Sequence, residues 1–220
     1  MSFKNHSLSS ISAIAEKIFN LFTPYSKDIE DRIIMMKKCG YEGFGIVYCS
    51  INDLKNIDLI HNICSKEGVV CFARFHFSNG LMMALELSRD RLLRILRKVR
   101  NRASLVSIDL SLASLLKISD LNRFDIVTLN LPSIRLLQKY VDKIEVFELT
   151  IDNELLDIHK IGKFIPIIRY LLSMDKLIIS QNISNMCIPP LQLCIFIHGL
   201  LGLKHVDCKV LYKKPFKLLM

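Results

Sequence analysis

What most restricts the fold of this chain is a repeated alternation of short apolar runs with amphipathic helical stretches. The runs are rich in β-branched and aromatic residues: Gly43–Cys49 (GFGIVYC), Val69–Phe77 (VVCFARFHF), Ala103–Leu110 (ASLVSIDL), Phe124–Asn130 (FDIVTLN), Ile144–Thr150 (IEVFELT) and Leu177–Ser180 (LIIS). Strands this continuously apolar belong to sheets covered by helices, which favours parallel pairing. Ile18–Phe22 (IFNLF) reads as a first strand, with Met82–Leu87 and Val206–Tyr212 as weaker ones.

Helical patterns fill the gaps. Ile29, Ile33 and Met36 keep i, i+4, i+7 spacing before a stop at Gly40, and Ile57, Ile60 and Cys64 do so before Gly68. Leu92, Leu96 and Val99 mark a third helix, and Pro132 is placed to open one running to Tyr140. Ile161, Phe164, Ile165, Ile168 and Leu172 suggest one longer helix that Pro166 either kinks or starts, and Pro190 introduces an almost wholly apolar one.

The strand starts recur at roughly 20–34 residues, the size of one βα unit. With the weaker strands there are eight or nine, and no Gly/Ser linker interrupts them. The 220 residues are therefore expected to form one domain, 1–220, of α/β class: a compact (β/α) TIM-like barrel. Such barrels typically need ~250 residues but can be as short as ~200. An open doubly wound sheet is the competing arrangement.

Three features bear on compartment. Leu177–Leu203 contains no Asp, Glu, Lys or Arg, long enough to cross a bilayer. It also holds Ser180, Gln181, Asn182, Ser184, Asn185, Pro189, Pro190 and Gln192, which fits a strand, a loop and a buried helix better. The 7 cysteines include no C-x-x-C pair and read as buried free thiols of a reducing cytosol. Glu16 and Lys17 split the only candidate signal core, so a cytoplasmic protein without a membrane partner is expected.

A barrel enzyme carries its chemistry at the carboxyl ends of the strands. Those positions offer Asn20, Ser50, His76, Asp109, Asn130, Glu148 and Ser180. Asp109 and Glu148 are the carboxylates and His76 the base, so an acid/base pair stays open beside rim hydrogen bonding. No H-x-H or H-E-x-x-H is present to gather a metal. Cys194 and His198 have i, i+4 ligand spacing, but in so apolar a helix Cys194 reads better as a small core residue. The glycines of Gly40–Gly45 precede a strand, not a helix, which fails the context of a dinucleotide loop. Gly40 reads as a helix stop and Gly43 as a turn.

Charge is unevenly distributed. The formal net charge is +9, from 30 Lys and Arg against 21 Asp and Glu, which points to an anionic partner. Arg89, Arg91, Arg94, Arg97, Lys98, Arg100 and Arg102 face the single Asp90 in one segment. Like charges at helical spacing repel by ~0.2–0.5 kcal/mol per pair, a cost an anion would relieve. Arginine forks also bind phosphate bidentately. Lys204, Lys209, Lys213, Lys214 and Lys217 form a second cluster. No aromatics are interleaved with the arginines, so contact to the backbone of a folded RNA fits better than stacking on bases.

From about Ile18 to Leu219 the chain resembles component 3 of ribonuclease P, the TIM-barrel-like subunit of the archaeal and eukaryotic ribonucleoprotein. The residues that carry the resemblance are KKCGYEGFGIVY (Lys37–Tyr48), LELSRDRLLRILRKVRNRASLVSID (Leu85–Asp109), FDIVTLNLP (Phe124–Pro132), IEVFELT (Ile144–Thr150) and IISQNISNMCIPPLQLCIFIHGLLGL (Ile178–Leu203). Three places depart from the family pattern. Asn20-Leu21-Phe22 replaces a D-L-H-like strand, Ser180-Gln181-Asn182 a Ser-Ser-Gly-Ala-like end, and Ile188–Gln192 lacks the Arg and Asp of an R-x-P-x-D-like helix start.

The resemblance implies a subunit of the endoribonuclease that removes the 5′ leader from precursor tRNA. There the RNA holds the catalytic magnesium, and this subunit, binding no cofactor, pairs with component 2 to support the RNA. It implies no catalytic residue here. The residues expected to contact RNA are Arg89, Arg91, Arg94, Lys98, Arg100, Arg102, Lys213 and Lys214. The alternative is a metabolic or metal-dependent barrel enzyme using Asp109, Glu148 or His76.

Overall fold

The first two helices each end where a glycine adopts a left-handed backbone, at Gly40 (φ 101°) and Gly68 (φ 67°), and a strand begins within three residues. A computed structural model describes residues 18–78, 80–81, 88–129, 134–152, 158–182, 187–202 and 218. Its strands are β1 (Phe19–Pro24), β2 (Gly43–Tyr48), β3 (Val70–Phe77), β4 (Leu105–Asp109), β5 (Ile126–Leu129), β6 (Phe147–Asp152) and β7 (Leu177–Asn182). Its helices are α1 (Ile29–Lys38), α2 (Ile57–Lys66), α3 (Arg89–Arg100), α4 (Ile118–Leu121), α5 (Ile134–Tyr140), α6 (Ile158–Gly162), α7 (Ile165–Ser173) and α8 (Pro190–Leu201).

All the described pairings are parallel, and the 7 strands lie in sequence order from β1 to β7. A doubly wound sheet would reverse that order at a switch point. Sequential parallel strands with crossovers of one hand put their helices on one face, so the other face buries itself by curling. The result is a nearly closed α/β barrel of the TIM-like class. The weaker strand candidates, Met82–Leu87 and Val206–Tyr212, lie outside the described residues, as does Pro132.

Apolar residues separate into two clusters, as the period-two alternation of strands requires. One lies between strands and helices and includes Phe44, Phe75, Val127, Phe147 and Ile179. The other fills one end of the barrel interior with Phe19, Leu21, Leu105, Ile126 and Ile178. Two expectations change. Gly43 opens β2 instead of making a turn, paired with Phe19 and Val70, and a Cβ there would sit 2.2 Å from the Phe19 ring. The single helix expected around Ile161–Leu172 is two, with Pro166 in the first turn of the second, where its missing N–H costs nothing.

The seam between β1 and β7 is closed by side chains. The Asn20 amide donates to the Gln181 carbonyl (3.0 Å), and its oxygen accepts from the Gln181 N–H (2.7 Å), copying a strand pairing. The Gln181 side chain extends this outward: Nε2 donates to the Tyr41 hydroxyl (2.7 Å) and the Ile188 carbonyl (2.9 Å), while Oε1 accepts from the Ile188 N–H (3.0 Å). Asn20, Gln181 and Ile188, three of the departures from the family pattern, therefore form one hydrogen-bonded unit. Within the uncharged stretch from Leu177 lie β7 and α8, and α8 is only half-buried, against the expectation of a buried helix: Leu193, Cys194, Ile197 and Leu201 pack inward, while Leu191 and Ile195 are exposed. No helix among the described residues is long and apolar enough to cross a membrane.

Candidate functional site

Above the apolar end of the barrel, two residues further along each strand, the interior turns polar. Arg74 of β3 and Glu148 of β6 have no solvent exposure. Their fork-to-fork contact measures 2.7 Å (Nη1 to Oε1) and 2.6 Å (Nη2 to Oε2). Neither charge is left with an idle group. Arg74 Nε donates to Ser107 (2.8 Å), and its terminal nitrogens also reach the Leu21 carbonyl (2.8 Å) and Thr128 (3.2 Å). Glu148 further accepts from Ser180 (2.8 Å) and Thr128 (3.1 Å).

The Leu21 carbonyl is available to Arg74 because the β1–β2 register slips between Asn20 and Thr23. Gly45 permits that close passage, since a Cβ there would lie 2.5 Å from the same carbonyl oxygen. Burial alone would raise the Glu148 carboxyl, but the charge and hydrogen bonds of Arg74, the Ser180 bond and nearby His76 outweigh it. The group is held below the ordinary glutamate value. A carboxylate so engaged has neither the solvent contact nor the proton affinity of a general base.

His76 and Asp109 stand one layer nearer the carboxyl rim. His76 Nε2 lies 3.3 Å from Asp109 Oδ1, and Nδ1 lies 3.0 Å from Ser107 Oγ. Arginine can only donate, so Ser107 accepts from Arg74 and links the guanidinium to the His76 ring. The Phe22 ring packs edge-on against His76 with centroids 5.2 Å apart and lies under the Arg74 guanidinium. The structure thus joins His76, Asp109, Glu148 and Ser180 in one network. Asn20 belongs to the seam, Ser50 accepts from the Asn52 N–H, and Asn130 lies outside the described residues.

Arg74 is the residue that sequence inspection missed. Its signal was present: Phe72, Arg74 and His76 alternate on one face of an otherwise apolar strand.

The basic segment is α3 and its exit. Ser88 caps it by accepting from the Arg91 N–H, and Leu92, Leu93, Leu96 and Val99 bury the opposite face. Arg91, Arg94, Arg97, Lys98 and Arg102 are exposed. The two remaining arginines are tied down by carboxylates distant in sequence. Arg89 donates to Asp120 at 2.7 and 2.9 Å. Arg100 grips Asp125 at 2.6 and 3.1 Å and also bonds the Arg123 carbonyl. Burial would raise the Asp120 carboxyl, but Arg89 holds it below its ordinary value. Arg97, Arg100, Asn101 and Arg123 line a concavity at the end of α3 floored by Leu96. Lys213 and Lys214 lie outside the described residues.

Among the cysteines, 39, 49, 64, 71 and 187 are free thiols, whereas Cys194 is disulfide-bonded, so the expectation of free thiols fails there. It also removes Cys194 from the Cys194–His198 ligand pairing. No cluster of three or more His, Cys, Asp or Glu able to hold a metal occurs among the described residues. A thiol pair joins α2 to β3: Cys71 lies 3.6 Å from His61 Nδ1, and the Cys64 hydrogen bond, with His61, pushes its pKa down to about 6.

Comparison of the chain with protein-family models, with curated proteins and with solved structures found no match.

Proposed function

We propose that this chain is a protein subunit of ribonuclease P, itself non-catalytic, that contacts the phosphates of the catalytic RNA through the exposed face of α3. One observation carries the reading. The charges inside the barrel are consumed by one another, whereas Arg94, Arg97, Lys98 and Arg102 stand exposed on a helix whose other face is packed. Polyanion binding of this kind is sequence-independent and weakened by salt. In the assembly the resemblance implies, the RNA carries the magnesium and acts on precursor tRNA, while component 2 is the protein partner.

The test is purification of the chain from its native host. The reading expects an accompanying RNA that cleaves the 5′ leader from precursor tRNA. A chain that purifies without RNA, or with RNA inert on that substrate, overturns it.

The second reading, a barrel enzyme, has the His76–Asp109 pair at the carboxyl rim in its favour. It requires a small molecule seated on that pair. His76→Gln would then abolish turnover without unfolding the barrel, and the ribonuclease P reading expects RNA binding unchanged in that variant.

A further inference from the structure

Cys39 and Cys187, separated by 148 residues, meet on the outer side of the barrel seam. Cys39 caps α1, and Cys187 lies in the connection from β7 to α8. The Cys39 thiol is 3.6 Å from the Cys187 carbonyl, and the Cys187 sulfur is 3.7 Å from Gln181 Nε2. Both cysteines are half-buried, and Cys187 lines a small cleft with Arg32, Met35, Met36 and Gln181. The other free pair differs: Cys64 and Cys71 are packed in the core at 1% and 9% exposure, only one helix-to-strand turn apart.

We propose that Cys39 and Cys187 form a thiol-modification site, oxidised by a low-molecular-weight disulfide to an intramolecular bridge that fastens the seam. The Cys39 thiol gives its proton to solvent, and its sulfur attacks one sulfur of the reagent. The reagent's S–S bond breaks, a thiolate leaves, and a mixed disulfide forms on Cys39. The Cys187 thiolate, its proton likewise lost to solvent, then attacks the Cys39 sulfur and expels the second thiolate. Two protein thiols are oxidised, one reagent disulfide is reduced, and both departing thiolates take up protons. Burial and Cys39 push the Cys187 thiol up, so Cys39 starts the exchange and the attack by Cys187 on the mixed disulfide is the slower step.

The bridge would close a long loop across a junction otherwise held by the Asn20 and Gln181 side chains, the situation in which a cross-link restricts the unfolded chain most. The test treats the folded full-length chain, with Cys49→Ser removing the exposed thiol, with oxidised glutathione, then maps linked peptides after alkylation. A Cys39–Cys187 linked peptide is expected, with a melting midpoint higher by on the order of 5–10 °C and restored by reductant. Cys187→Ala abolishes both effects and Cys64→Ala abolishes neither. The proposal is overturned if both thiols stay alkylatable in the folded protein. Linkage only after denaturant unfolds the chain, or linkage without a rise in midpoint, also overturns it. The map on the chain retaining both cysteines decides the matter even if a seam variant fails to fold.

Discussion

Arg74 inside the barrel and Arg94 on α3 carry the same side chain into opposite surroundings. Arg74 is sealed from water and meets Ser107, Leu21, Thr128 and Glu148, so its charge is matched within the chain. Arg94 projects into solvent from a helix whose other face is packed. Water satisfies an exposed guanidinium at little cost, whereas a buried one must find its partners in the protein. The matched arginine is therefore part of the fold, and the exposed ones direct their charge away from it. Arg89 and Arg100 fall between these extremes, held at the helix ends by Asp120 and Asp125.

The largest effect is expected at the buried pair. Arg74→Met leaves Glu148 charged and enclosed and should cost about 3–5 kcal/mol in urea unfolding, whereas Arg74→Met with Glu148→Leu should recover much of that stability. A double variant no better than the single one would break the contrast. The pair also sets an acid limb. The Glu148 carboxyl is lowered in the folded state, so its stabilisation is present above the unfolded value of about 4.3 and is lost as pH falls through the folded one. Glu148→Gln, less stable at neutral pH, should lose less of its remaining stability on acidification, seen in urea midpoints across pH.

The seam comes next. Asn20→Ala removes one donor and one acceptor from buried Gln181 backbone groups and should cost about 1–3 kcal/mol. Smaller again is Asp125→Asn, which releases Arg100 and weakens the bond to the Val106 N–H (2.6 Å), at about 1 kcal/mol for this half-exposed pair. The same variant should raise RNA affinity by liberating a cation, so stability and binding move in opposite directions. Smallest is the exposed stripe: Arg91, Arg94, Lys98 and Arg102 changed to Gln should shift stability by no more than about 0.5 kcal/mol per site.

Patterns of period two and period 3.6 were enough to place the strands, the glycine stops and the packed face of α3, because each is dictated by residues close in sequence. Pairings between distant residues were not legible. Asp120 and Asp125 lie 31 and 25 residues from the arginines they neutralise, so the segment looked more uncompensated than it is. Glu148 and His76 were recognisable as strand-end polar groups, but nothing local marks one as the partner of Arg74 and the other as its neighbour through Ser107. Asn20 and Gln181 read only as departures from a family pattern, and their meaning as a seam needs the barrel to close.

The central claim is that the exposed face of α3 meets RNA phosphates while the interior network does not take part. It is tested most directly by the salt dependence of RNA binding for the chain carrying Arg91→Gln, Arg94→Gln, Lys98→Gln and Arg102→Gln. The slope of log K against log salt should flatten by roughly one unit for each phosphate that is no longer neutralised, with the fold intact. An unchanged slope in a folded variant would contradict the account.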